Sequence, residues 1–257
     1  MKKTLISLLA LGGMAMGVEL TPVADIDSLL KSEGVSVGSG VTNTSSLYTE
    51  SNTVLHFEAG NSAVTNITST ALAETVSNKT GYLTICAWIN PLATSENAIF
   101  STGSQQNGLK VGLKGSSLQE TMKWKADNNL NAGGQYAITT GEWQFVAYSI
   151  SLSGASDSRF LQGENAAAFW SGKSFGDYDV PNPATFGIGT AWSNGAKDVF
   201  VGDIANLQVF YSTSVADASS LAAVMAAKPE LKQVPEPTTG TLSLLALAGL
   251  MARRRRK

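Results

Sequence analysis

Few side chains in this 257-residue chain have the types and spacing that chemistry requires. There is one histidine, His56, and one cysteine, Cys86. His56 alternates with Leu55 and Phe57, so on a strand it points away from their face. A serine triad would have to use it, and no G-x-S-x-G elbow accompanies it. A Cys86–His56 pair would put both groups inside strands rather than at a loop rim. Cys86 lies in the apolar run Leu83-Thr84-Ile85-Cys86-Ala87-Trp88-Ile89 and reads as a buried small residue. As a lone cysteine it makes no intramolecular disulfide, so stability must come from the core. Cleavage of glycans needs paired carboxylates, yet neither E-x-D-x-x-E nor E-x-D-x-E occurs. No G-x-x-x-x-G-K-[ST] phosphate loop is present either. The expectation is a protein that does not catalyse.

Two groups of residues are better suited to binding. Trp192 and Asn194 lie in the polar stretch Thr190–Gly195, where an exposed indole could stack on a sugar ring; packing within a hairpin is the alternative. The second group is Lys110, Lys114, Lys123 and Lys125, on expected strands Leu109–Lys114 and Thr121–Ala126 joined by a loop Gly115–Glu120. Setting Val111 and Leu113 against Met122, Trp124 and Ala126 buries Trp124 and turns the four lysines outward. Such a patch serves either as a solvated face that discourages edge pairing or as a contact for sulfated or sialylated glycans.

The ends of the chain look like targeting segments. Met1-Lys2-Lys3, an apolar stretch from Thr4 to Met14, and small residues Ala15 and Gly17 at −3 and −1 describe a secretory signal peptide over residues 1–17, cleaved before Val18. At the other end come Pro235-Glu236-Pro237, an apolar stretch 238–252 and the basic cluster Arg253, Arg254, Arg255, Arg256 and Lys257. A helix over that stretch spans only about 22 Å at ~1.5 Å per residue, and the basic cluster would hold its end in the cytoplasm. Setting aside Lys2, Lys3 and the five basic residues Arg253–Lys257, 11 basic residues face 20 acidic ones. A body this acidic is repelled by phosphate backbones, which argues against nucleic acid as a partner.

Between the ends, apolar runs recur between Gly, Asn, Ser and Thr clusters. Strands are expected near Thr53–Glu58, Tyr82–Asn90, Ala98–Ser101, Leu109–Lys114, Thr121–Ala126, Glu142–Leu152, Ala166–Trp170, Ala184–Ile188 and Val199–Tyr211. Helical periodicity is expected only over Ser214–Ala227, where Leu221, Val224 and Met225 share a face and Asp217 favours the start. Residues 18–45 read as a leader, with a short helix or extended piece at Ile26–Leu30. Many short strands at this spacing imply a sandwich or barrel.

These elements resemble a known family. Val54-Leu55-His56-Phe57-Glu58 is similar to the opening strand of a LamG-like, concanavalin-type jelly roll. Tyr82–Pro91, Thr140–Ala147, Phe169–Lys173 and Phe200–Tyr211 resemble four further elements of that fold, in order. The resemblance implies an all-β jelly-roll sandwich over residues 46–228 with a short C-terminal helix, binding glycans or another surface polymer. A structural envelope or matrix protein is the alternative, and a glycan-cleaving enzyme a lesser one. Where the family's closing strand commonly carries paired aspartates, this chain has Ala205-Asn206. Only Glu58 and Asp203 fall on elements that supply calcium ligands in relatives, too few for six to eight oxygens. No cofactor is expected, structural calcium being the minor alternative.

The tail resembles the PEP-CTERM sorting signal of Gram-negative bacteria, with a linker 229–237, a transmembrane helix 238–252 and a basic tail 253–257. That resemblance implies an exosortase-type membrane protease as partner. It also implies an inner-membrane precursor held by the C-terminal helix, and a mature form at the cell surface.

Overall fold

The computed structural model describes residues 17–49, 53–60, 62–78, 80–104, 107–124, 129–133, 137–153, 159–162, 185–192 and 195–232. At 104, 107, 119–124 and 129–133 it describes the backbone alone. The expected signal peptide, save Gly17, the expected strand Ala166–Trp170 and the tail from residue 233 lie outside these residues. Among the described residues no helix is long and apolar enough to cross a membrane.

In chain order the elements are β1 (Thr21–Asp25), α1 (Ile26–Leu30), β2 (Ser36–Val37), β3 (Val41–Asn43), β4 (Val54–Phe57), β5 (Val64–Thr68) and α2 (Thr70–Ser77). Then follow β6 (Tyr82–Pro91), β7 (Asn97–Ser104), β8 (Asn107–Lys114), β9 (Ser117–Trp124), β10 (Asn129–Gly133) and β11 (Gln144–Ser151). The last are β12 (Arg159–Gln162), β13 (Thr185–Ile188), β14 (Gly202–Ser212) and α3 (Ala222–Ala226). The strands form two antiparallel seven-stranded sheets. The first runs β12-β11-β6-β14-β4-β3, with β1 laid beside β14; the second runs β10-β9-β8-β7-β13-β5-β2. The chain is an all-β sandwich of two antiparallel sheets with few helices.

Period-two alternation builds the core. Leu83, Ile85, Ala87 and Ile89 of β6 point inward with Val146, Tyr148 and Ile150 of β11 and Leu55 and Phe57 of β4. They meet Phe100, Leu109, Val111, Leu113, Phe186 and Ile188 from the second sheet. Each large side chain so buried contributes about 1.5–3 kcal/mol.

The structure corrects four expectations. Residues 18–45 are not a separate leader: β1 pairs with β14, β2 with β5 and β3 with β4, while Ile26 and Leu29 enter the core. A helix, α2, forms where no helical periodicity was expected; Ser69 caps it through Leu72 N, and Leu72 and Val76 are its buried face. The expected loop Gly115–Glu120 is a two-residue hairpin turn, with Gly115 at φ +60° in the region that favours glycine. The C-terminal helix is a single turn and a half, because its preceding residues form turns held by Asp217.

The β8–β9 register sets Leu109 opposite Met122 and Asn107 opposite Trp124. Of the expected apolar set on β9 only Met122 thus stands across from an apolar residue of β8; Val111 and Leu113 pair instead with Glu120 and Leu118. Ala126 and Lys125 lie outside the described residues.

Candidate functional site

The first sheet has a second, outward face. Cys86, Trp88, Phe145, Ala147, Ala205 and Phe210 lie on it and are capped by Ala216, Leu221 and Val224 from the segment after β14. Backbone-directed bonds tie that cap down. Trp88 Nε1 donates to Val224 O at 3.2 Å, and Ala216 N to Ser149 Oγ at 2.9 Å. Asn206, at φ +51° in a bulge of β14, donates through Nδ2 to Ala227 O at 2.6 Å. Cys86 is sealed beneath this cap, and burial pushes its thiol far above the usual range. It is inert as a nucleophile.

One step further along the strands, the outward positions turn polar. The register sets Asp203 of β14 between His56 of β4 and Asn90 of β6. His56 Nδ1 lies 2.8 Å from Asp203 Oδ1, and Asn90 Nδ2 donates to Asp203 Oδ2 at 3.3 Å. Thr42 of β3 continues the row beyond His56. Trp143, one residue ahead of the Gln144–Ile89 pair, stands at the Asn90 end. Tyr48 packs edge-on to Trp143, with ring centroids 5.7 Å apart. Burial, and then the Asp203 charge, push the Tyr48 phenol up, against the hydrogen bond with Trp143.

This row is half-open to solvent: the His56 side chain is 29% exposed and that of Asp203 14%. Asn90 Oδ1 is buried without a hydrogen-bond partner among the described residues. The row therefore offers amide, carboxylate and imidazole groups beside an indole. That is a set suited to sugar hydroxyls and to the apolar face of a sugar ring. The His56 Nδ1 is taken by Asp203, and among the described residues no hydroxyl bonds its Nε2. Nor do three or more His, Cys, Asp or Glu side chains come together to hold a metal among those residues. Both Asp203 oxygens are engaged by His56 and Asn90 instead.

The residues chosen from sequence do not gather here. Trp192 is only 5% exposed and packs with Ala98 and Ala191, so it is a packed side chain and not an open platform. Lys110, expected to face solvent, is 2% exposed. Its Nζ meets Glu96 Oε1 at 2.7 Å and Asp198 Oδ2 at 3.3 Å, because residues 189–192 and 195–200 fold back over the outer face of the second sheet. The patch of four outward lysines thus loses one member. Lys114 is exposed beside the turn. The Lys123 side chain, Lys125 and Asn194 lie outside the described residues. Glu58 is exposed and takes no part in the row. Sequence reading missed Asn90, Trp143 and Tyr48 as a group. The available signal was that Asn90 and His56 share the outward parity of their strands.

Comparison with known proteins follows this architecture. None of the curated proteins compared matches the chain. Solved structures do. The receptor-binding domain of botulinum neurotoxin mosaic serotype C/D superposes with TM-score 0.53 at 12% identity, over 75% of this chain and 45% of that one. Botulinum neurotoxin type C, which enters cells dependent upon interaction with two ganglioside molecules, gives 0.53 at 14% identity over 75% and 46%. The binding domain of neurotoxin DC in complex with rat synaptotagmin II gives 0.51 at 14% identity over 75% and 46%. At these identities the likeness is one of fold, and this chain spans under half the length of those chains. Residues 233–257 match the PEP-CTERM protein-sorting motif. Residues 60–217 match the concanavalin A-like lectin/glucanase superfamily, and the chain belongs to that family.

Proposed function

We propose that this protein is an exported, non-catalytic binding module of the bacterial cell surface that recognises glycans or another surface polymer. The observation that carries the reading is the row Trp143–Asn90–Asp203–His56, left half-open on a lectin-type sandwich whose neighbouring surface is capped. The sorting motif at 233–257 supports delivery through the inner membrane of a Gram-negative bacterium, with an exosortase-type protease removing the tail. Fold likeness to ganglioside-dependent and other receptor-binding domains is consistent with a recognition role, though fold alone assigns none.

A glycan array probed with the mature body tests this reading. The expectation is saturable binding, weakened about tenfold by the double variant Asn90→Ala/Trp143→Ala, the worth of roughly one well-placed hydrogen bond or ring contact. Absence of saturable binding, together with self-association, would instead indicate a structural envelope or matrix protein. Delivery is tested by intact mass of the surface-extracted form. It should begin at Val18 and end near Pro235–Pro237; recovery of residues 238–257 on that form overturns the sorting claim.

A further inference from the structure

The strand β1 creates a feature that the rest of the sandwich would not have. It lies before residue 60, outside the span matched by the lectin superfamily. Laid antiparallel beside the far half of β14, it sets Thr21 opposite Tyr211. The helix α2 approaches from the other side, leaving a groove of about 360 Å³ lined by Thr21, Pro22, Val23, Ala71, Glu74, Asn78 and Tyr211, with Thr75. That size falls within the range of small-molecule sites.

The lining has a particular chemistry. Tyr211 is half-buried and packs against the core. Its ring is held close to Gly81, where an added Cβ would come within 2.8 Å of the ring and where φ is +69°. Only glycine fits, so the ring is fixed from behind and presents its remaining surface to the groove. Thr75 Oγ1 is spent on Ala71 O at 2.8 Å. The side chains of Thr21, Glu74 and Asn78 have no hydrogen-bond partner among the described residues. They offer a hydroxyl, a carboxylate and an amide, which together donate and accept. Pro22, Val23 and Ala71 add apolar surface. Glu74 is the only ionised group in the lining.

We propose that this groove between β1 and α2 is a saccharide-binding site for neutral or N-acetylated sugars, one or two rings in size. The inference rests on the glycan-binding reading above and names both a second site and its ligand class. The sugar's apolar face lies on Tyr211, Glu74 accepts from adjacent hydroxyls, and Asn78 and Thr21 complete the set. The Glu74 charge, on a body with 20 acidic residues to 11 basic once the terminal clusters are set aside, excludes sulfated and carboxylated sugars.

The test uses the full chain in detergent micelles, titrated with chitobiose, cellobiose and a sulfated heparin disaccharide. Chitobiose or cellobiose should bind and the heparin disaccharide should not. Glu74→Gln should weaken binding about tenfold, as loss of a charge-assisted hydrogen bond does. Ala71→Trp, at an exposed helix position away from the core, should abolish it by filling the groove. Tyr211→Ala should weaken binding as well, and Ala71→Trp keeps the test valid if that variant fails to fold. Neutral binding that survives both Glu74→Gln and Ala71→Trp overturns the groove and leaves the row at Asp203 as the contact. Preference for the heparin disaccharide also overturns it. Failure of every saccharide on the array and in titration removes both this site and the reading it rests on.

Discussion

The two sheets cover their outward faces by different means. On the first sheet the cover is apolar: Leu221, Val224 and Ala216 close over Trp88, Phe145 and Cys86. On the second sheet the chain at 189–192 brings Trp192 onto Ala98, and the chain at 195–200 is fastened by a buried ammonium, Lys110, between two carboxylates. The apolar cover gains stability in proportion to the area removed from water. The ionic one must first offset the desolvation of a charge and is sensitive to which partner is removed. The difference decides where open surface remains. The apolar cap ends where the residues turn polar, leaving the row at Asp203 half-exposed.

The largest expected effect is on the apolar cover. Phe145 is 1% exposed and packs edge-on to Trp88, with centroids 5.7 Å apart. Phe145→Ala should cost about 3–5 kcal/mol in urea-unfolding free energy. A loss below about 1 kcal/mol would mean that the cap contributes little and that the two covers are equivalent.

The ionic cover predicts an asymmetry. Lys110→Met removes the charge and keeps a stem of similar length, while Glu96 and Asp198 are open enough to rehydrate; the cost should stay near 1 kcal/mol. Glu96→Ala/Asp198→Ala strands the buried ammonium and should cost about 3 kcal/mol. Equal losses from the two variants would break the argument that burial of the charge, and not packing of the lysine stem, governs this face.

The same contrast explains what could be read from sequence. Alternation exposed the inward faces of β4, β6, β8 and β11, and it assigned His56 to the side opposite Leu55 and Phe57. It also assigned Lys110 to the side opposite Val111, and that parity holds. Exposure does not follow from parity, however, because Asp198 and its described neighbours, distant in sequence, return to cover that face. Between the two readings of Trp192 the sequence could not choose for the same non-local reason: a polar stretch around an indole says nothing of the Ala98 surface it meets. The strands β2 and β3, two and three residues long, are too short to show a period. The helix α2 was hidden by its Thr and Ser content, although Ser69 and the Leu72–Val76 spacing mark it. Asn90, Asp203 and His56 come from three distant strands, so only the sheet register brings them together.

The apolar cap also has a polar hinge. Asp217 accepts from Ser220 N at 2.9 Å and from Ser219 Oγ at 2.7 Å, and these bonds, the backbone one first, hold its carboxyl below the usual carboxylate range. Asp217→Ala should cost about 1 kcal/mol, as for the loss of a helix or turn cap. Protection of the Ala222–Ala226 amides in hydrogen exchange should fall with it. Unchanged protection would show that the apolar contacts alone hold the cap.

The smallest effect expected is in the acid limb of the ionic cover. The hydrogen bond from Lys110, above its charge, draws the Glu96 carboxyl below its ordinary value of 4.5. A carboxyl depressed in the folded state binds fewer protons there than in the unfolded chain. Its stabilisation is therefore complete above the unfolded value and is lost as pH falls through the lower, folded one. Glu96 is 44% exposed, so solvent screening keeps the contribution small. Wild type should lose stability from about pH 4.5 downward more steeply than Glu96→Gln, and the two curves should converge in acid. Asp217 titrates in both proteins and cancels in the difference. Parallel curves across that window would show that Lys110 draws its compensation from Asp198 alone, and the second sheet's cover would then rest on a single ion pair.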